Sequence, residues 1–166
     1  MLNHRFVSLI AALLVFPTTT QAADDFLAPL AGSWQGKGTA LTRIGAKPIN
    51  VTCSFTMQGD GSNLNMDGTC RGMLVVKRNI SARLRANGQN YTGTYTGPSG
   101  QPSSLSGSRQ GSAINLTVRW ARVVNGDRVA NMSFEKIGDN RLRLQTVDKD
   151  LATGKQVVTS RIDLSR

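Results

Sequence analysis

Cys53-Ser54-Phe55-Thr56-Met57-Gln58-Gly59-Asp60-Gly61-Ser62-Asn63-Leu64-Asn65-Met66-Asp67-Gly68-Thr69-Cys70 reads as two strands joined by a tight turn. Apolar and polar residues alternate on both sides of Gly61-Ser62, the period of a strand with one buried face. A two-residue turn at Gly61-Ser62 sets Asp60 against Asn63, Met57 against Met66, Phe55 against Gly68 and Cys53 against Cys70. One register therefore explains both the apolar face and the cysteine pair. Counted out from the turn, Cys53 and Cys70 form a non-hydrogen-bonded pair, where side chains approach most closely, so a cross-strand disulfide is geometrically reasonable. Such a bridge stabilises by roughly 3 kcal/mol through the short loop it closes, and it points to an oxidising compartment.

The same alternation runs outward in both directions, and no long segment shows helical spacing. Strands are predicted at 33–41, 49–59, 63–71, 74–86, 90–96, 103–110, 113–123, 129–137, 141–148 and 155–164. A turn at Asn87-Gly88 places Leu84 opposite Tyr91, Ala82 opposite Gly93 and Ile80 opposite Tyr95. A turn at Gly111-Ser112 pairs Ile114 with Arg109, Leu116 with Gly107 and Val118 with Leu105. A three-residue loop at Asn125-Gly126-Asp127 sets Trp120 against Met132 and Val118 against Phe134. The expected fold is all-β, an antiparallel up-and-down meander of about 8–10 strands closed into a barrel, since closure removes the edges. Inward glycines at 36, 38, 68, 93 and 107 either leave a ligand cavity or permit the tight coiling of a small barrel. The sequence leaves both open.

The chain has 166 residues, of which 18% are charged, with 20 Lys+Arg against 10 Asp+Glu. Arg5 is followed by the apolar run 6–16 and a small-residue stretch ending Thr20-Gln21-Ala22, the pattern of a cleaved signal peptide over 1–22. Residues 23–166 would then form one barrel domain, periplasmic or secreted. No later run is long enough for a spanning helix. Five Asn-x-Ser/Thr sequences, at Asn50, Asn79, Asn90, Asn115 and Asn131, read as strand patterning, because each middle residue is apolar between polar neighbours.

Removing 1–22 removes His4, the one histidine, and a disulfide would consume both thiols. Ser-His-Asp and Cys-His catalysis are thereby absent, and a non-enzymatic protein is expected. No metal site and no cofactor are expected either. Asp148-Lys149-Asp150 with Thr153-Gly154 lacks calcium-loop spacing and reads as a turn. The positive balance favours encounter with an anionic envelope surface, an acidic glycan or an acidic protein. Nucleic acid is a poor candidate, since the aromatic residues face inward and do not interleave with the cations.

Phe26-Leu27-Ala28-Pro29-Leu30-Ala31-Gly32-Ser33-Trp34-Gln35-Gly36-Lys37-Gly38 resembles the opening of calycin-type barrels. Gly32-x-Trp34 resembles the lipocalin signature, and Gly32-x-Trp34-x-Gly36-x-Gly38 is similar to the start of nitrobindin-like proteins. The lipocalin resemblance implies that Trp34 closes the barrel floor beneath an arginine of the last strand, for which Arg161 is the nearest candidate. The nitrobindin resemblance implies haem held by histidine, and without a histidine in 23–166 that role does not carry over. A minor variant would hold haem through Tyr91 or Tyr95.

The inward register of Arg109, with Arg78 at a strand end, raises a separate question, because an unpaired inward cation is costly. Such an arginine is either paired at the rim or receives a ligand anion. The leading expectation is a small hydrophobic or amphipathic ligand, with an acidic head at Arg109 and an apolar tail along Tyr91, Tyr95, Trp120 and Met132. The alternative is an envelope interaction protein, protease-inhibitor-like or binding an anionic surface. Its barrel would be filled with side chains, and its contact loop would be Gly97-Pro98-Ser99-Gly100-Gln101-Pro102.

Overall fold

The computed structural model describes residues 26–73 and 76–166; the expected signal peptide lies outside them. A single 3-10 turn, Ala28–Leu30, precedes ten strands: β1 Gly32–Ala40, β2 Ile49–Gly59, β3 Asn63–Gly72, β4 Val76–Asn87, β5 Asn90–Thr96, β6 Pro102–Gln110, β7 Ala113–Val124, β8 Asp127–Gly138, β9 Arg141–Lys149 and β10 Gln156–Ser165. Each strand pairs antiparallel with its neighbours in the chain, and β1 pairs with β10 to close the barrel. The expected all-β closed meander is the observed fold. Among the described residues no helix is long and apolar enough to cross a membrane.

The β2–β3 register is the one read from Gly61-Ser62: Met57 opposes Met66, Phe55 opposes Gly68 and Cys53 opposes Cys70. The two cysteines form a disulfide with a Cα–Cα distance of 4.1 Å. The β6–β7 register also follows the expectation, with Arg109 opposite Ile114 and Leu105 opposite Val118.

Two hairpins differ. The β4–β5 turn is Gly88-Gln89, so Asn87 opposes Asn90, Ala86 opposes Tyr91, Leu84 opposes Gly93 and Ala82 opposes Tyr95. Gly88 has φ +57 while Gln89 does not adopt positive φ. Glycine thus takes the first central position of a type II′ turn, the position that type reserves for it, and not the second position of Asn-Gly. The slip is two residues, so every side chain keeps its face.

The β7–β8 turn is also a two-residue one, Asn125-Gly126 with φ +53 and +101, between Val124 and Asp127. That is the type I′ pattern, and the three-residue loop is not formed. The register shifts between Arg119 and Val124, which leaves Val118 opposite Ala130 and Leu116 opposite Met132. Trp120 falls inside this bulge. The carbonyls of Trp120 and Ala121 accept from the Arg128 guanidinium at 3.0 and 2.7 Å, and the Ala121 N–H reaches Ser103 Oγ at 3.2 Å. Backbone groups that lost their ladder partners are thereby satisfied by side chains.

The two ends of the barrel are built differently. At one end lie the tight turns after β2, β4, β6 and β8, and the segment 26–31 plugs it. Phe26, Leu27, Leu30 and Trp34 are all buried there, and Trp34 Nε1 donates to the Leu30 carbonyl at 2.8 Å. The Arg166 guanidinium stacks 4.8 Å from the Trp34 ring centre and donates to the Ala31 carbonyl at 2.7 Å. Arg161 does not fill this place. It is an exposed, outward residue of β10 whose Nε donates to Gln145 Oε1 at 2.9 Å. The β1–β10 register explains the exchange: Gln35 faces Ser165, and one further step brings Trp34 to Arg166.

The five inward glycines serve coiling. A Cβ on Gly36 would run into the Asp163 carbonyl, on Gly38 into that of Arg161, on Gly93 into that of Arg83 and on Gly107 into that of Asn115, while on Gly68 it would meet Ser54 and Phe55. None of the five borders the cavity described next.

Candidate ligand cavity

The opposite end carries the longer connections at 41–48, 97–101 and 150–155, and it opens into a cavity of about 580 Å³. That volume suits a small organic ligand. Its floor is apolar, with Phe55, Met66 and Phe134 separating it from the plugged half. Tyr95, Trp120 and Met132 form one wall. The Tyr95 and Trp120 rings meet edge to face with centres 6.1 Å apart. Tyr95 is half-buried and borders the void, and desolvation by the surrounding protein pushes its phenol up to about 12.

Three of the five residues expected to hold a ligand are therefore together, and two are not. Tyr91 is buried at the plugged end, between Ala86 and Gly107. Arg109 lies there as well: its Nε donates to the Gly111 carbonyl at 2.9 Å and its guanidinium stacks 5.2 Å from the centre of the Phe26 ring. Inward parity places Arg109 correctly on the face, but its distance along β6 carries it to the plug and not to the cavity. The basic groups that do border the cavity are Arg78, on β4, and Arg122, in the β7 bulge. The filled barrel of the alternative reading describes only the plugged half.

The polar feature that sequence reading missed is Asp148. It is 3% exposed and borders the cavity from the end of β9. Its Oδ2 accepts from Asn125 Nδ2 at 3.1 Å and from Thr159 Oγ1 at 2.9 Å, while Asn125 Oδ1 in turn accepts the Ile44 N–H at 2.9 Å. Its Oδ1 has no hydrogen-bond partner among the described residues, and the same holds for Trp120 Nε1. These two orphaned atoms both belong to cavity-lining residues. Asp150, grouped with Asp148 in the sequence reading, behaves as a turn residue: it accepts from the Ala152 N–H and the Thr153 hydroxyl, which hold its carboxyl below the usual range. A count by twos from Leu142 and Leu144 through Thr146 would have set Asp148 on the inner face. Among the described residues no cluster of His, Cys, Asp or Glu could hold a metal ion.

The mouth is apolar on its outside too. Among the described residues, Met73, Val123, Val129, Leu151 and Val158 are the exposed large hydrophobic ones, and all five belong to the half of the barrel that opens. Arg43, Lys47, Arg122 and Lys155 are exposed at the same end.

No family model matches the chain. No curated protein matches it by sequence. Solved structures do match its fold. The crystal structure of Rv2717c from M. tuberculosis superposes with a TM-score of 0.64 at 18% identity, over 87% of this chain and 97% of that one. The S-type phycobiliprotein lyase CPES from Guillardia theta superposes with a TM-score of 0.54 at 12% identity, over 87% of this chain and 92% of that one. The second likeness corrects the expectation of a non-enzymatic protein, because a barrel of this build is a lyase and the fold is no argument against catalysis. Its disulfide and its lack of a membrane-crossing helix among the described residues are compatible with an exported protein. The chain is a ten-stranded closed antiparallel barrel whose fold is shared with these two structures.

Proposed function

We propose that this protein binds a small hydrophobic or amphipathic molecule in the cavity at the open end of its barrel. We further propose that residues 1–22 are a leader and 23–166 the working domain, acting in the periplasm or outside the cell. The observation that carries the reading is the cavity of about 580 Å³, apolar at its floor with a small set of polar groups such as Asp148 and Thr159 in its lining. That is the usual build of a small-molecule site. The likeness to a phycobiliprotein lyase supports it at the level of fold.

Titration with N-phenyl-1-naphthylamine, a neutral apolar fluorophore, is expected to show saturable binding at one site. Ile80→Trp, which places an indole in the cavity from the β4 wall, should weaken that binding at least about tenfold and leave the melting temperature little changed. Absence of saturable binding to the unmodified protein would overturn the reading.

A second reading is favoured by the mouth, where Met73 and Leu151 are exposed at the same end of the barrel as Arg43, Arg122 and Lys155. Apolar tips among cations suit contact with an anionic lipid surface. The protein is expected to float with anionic vesicles and not with zwitterionic ones, more weakly as salt is raised. Met73→Ser with Leu151→Ser should reduce flotation; equal recovery with both vesicle types would count against this surface.

A further inference from the structure

Resting on that cavity reading, we infer that Asp148 is the receptor for the ligand's head and that the head is an ammonium group on an otherwise apolar molecule. Asp148 is 3% exposed, so its carboxylate is removed from bulk water. The groups that hold Oδ2, Asn125 Nδ2 and Thr159 Oγ1, are neutral donors. Among the described residues, no Lys or Arg forms an ion pair with it. A buried carboxylate in that state is costly, and a cation at hydrogen-bond distance offsets the cost.

The geometry also says where the cation goes. Two hydrogen bonds fix one oxygen against the barrel wall, and the tie from Ile44 N–H to Asn125 fixes Asn125 itself. The other oxygen, Oδ1, is left without a partner and is itself covered, in a residue that borders the cavity, so a ligand's head reaches it by displacing a neighbouring lining side chain. An ammonium brings several donors and a full charge to such an oxygen, the pairing that gains most from charge assistance. Trp120 Nε1, the second orphaned atom, would serve a hydroxyl or carbonyl on the same molecule. Arg78 and Arg122 border the same cavity but are exposed, so water screens their repulsion of an entering cation.

The test uses N-phenyl-1-naphthylamine on the mature protein as reporter and competes it with dodecylamine, dodecanol and dodecanoate at neutral pH, below their aggregation concentrations. One tail with three heads isolates the head. Dodecylamine is expected to displace the reporter at a concentration at least about tenfold lower than dodecanol, the worth of one charge-assisted hydrogen bond. Asp148→Asn should bring the two within about twofold, each displacement being corrected for the reporter's own affinity measured on that variant.

Dodecyltrimethylammonium gives a measurement that needs no variant. It carries the charge without an N–H and should bind more weakly than dodecylamine, because Oδ1 lacks a donor. Equal displacement by all heads, or preference for dodecanoate, would overturn the inference and leave the cavity reading standing. A reporter that never binds would overturn both.

Discussion

Trp34→Ala is expected to destabilise the protein by about 4 kcal/mol, near the top of the range for a single core truncation. The side chain is 2% exposed and is packed with Phe26, Leu27 and Leu30 into the plug. Its removal costs more than buried area. The Leu30 carbonyl loses the indole N–H that it accepts at 2.8 Å, and the Arg166 guanidinium loses the ring on which it stacks. In a barrel of this size the loss corresponds to roughly 10 °C in Tm, read by thermal unfolding followed with far-UV circular dichroism. Arg166→Ala, which removes only the stacked cation, should cost about 1 kcal/mol. The ligand cavity lies at the other end, so the folded fraction of Trp34→Ala should bind an apolar probe as the unmodified protein does. A stability within 1 kcal/mol of the unmodified protein would remove Trp34 from the role of plug.

The second large effect belongs to Gly36→Ala. A Cβ at this position would run into the Asp163 carbonyl and lie 2.8 Å from the Leu164 Cα, both of them backbone. Backbone cannot rotate aside as a side chain can, so β1 and β10 must separate locally. The expected cost is about 3 kcal/mol, with hydrogen exchange rising in Lys37 to Thr39 and in Arg161 to Asp163 before it rises elsewhere. Exchange that increases evenly around the barrel would mean that the seam tolerates the methyl group.

How much of this was legible in the sequence depends on which errors the alternation can reveal. Gly61-Ser62 was readable because one register had to satisfy Met57, Phe55 and Cys53 together. At Asn87-Gly88 the same test is blind: Asn-Gly and Gly-Gln both suit a tight turn, and the two-residue difference between them moves no side chain across the sheet. The bulge at Trp120 leaves no mark in composition, since its unpaired carbonyls are satisfied by Arg128, a residue of the next strand. Arg166 was missed for a different reason. Its meeting with Trp34 depends on the register of β1 with β10, which no hairpin turn specifies. The candidate site was half legible: Tyr95, Trp120 and Met132 share a cavity, whereas Arg109 was placed on the right face at the wrong height. Asp148 was readable from strand parity and was obscured by its neighbour Asp150, a true turn residue.

The seam between β1 and β10 has a consequence for assembly. Nine of the ten strand pairings join strands adjacent in the chain, and each can form as a local hairpin. The tenth joins Gln35 to Ser165 and must wait until nearly every residue between them is in place. Before that moment the sheet has two free edges, and β10 brings Val157, Val158 and Ile162 to one of them. An open edge pairs with whatever edge it meets, including that of another copy. Two copies that close on each other would satisfy the same backbone groups as one copy that closes on itself. Gly36 and Gly38 let the backbones of β1 and β10 lie in direct contact, which ties the seam to this pair of strands whichever copy supplies them.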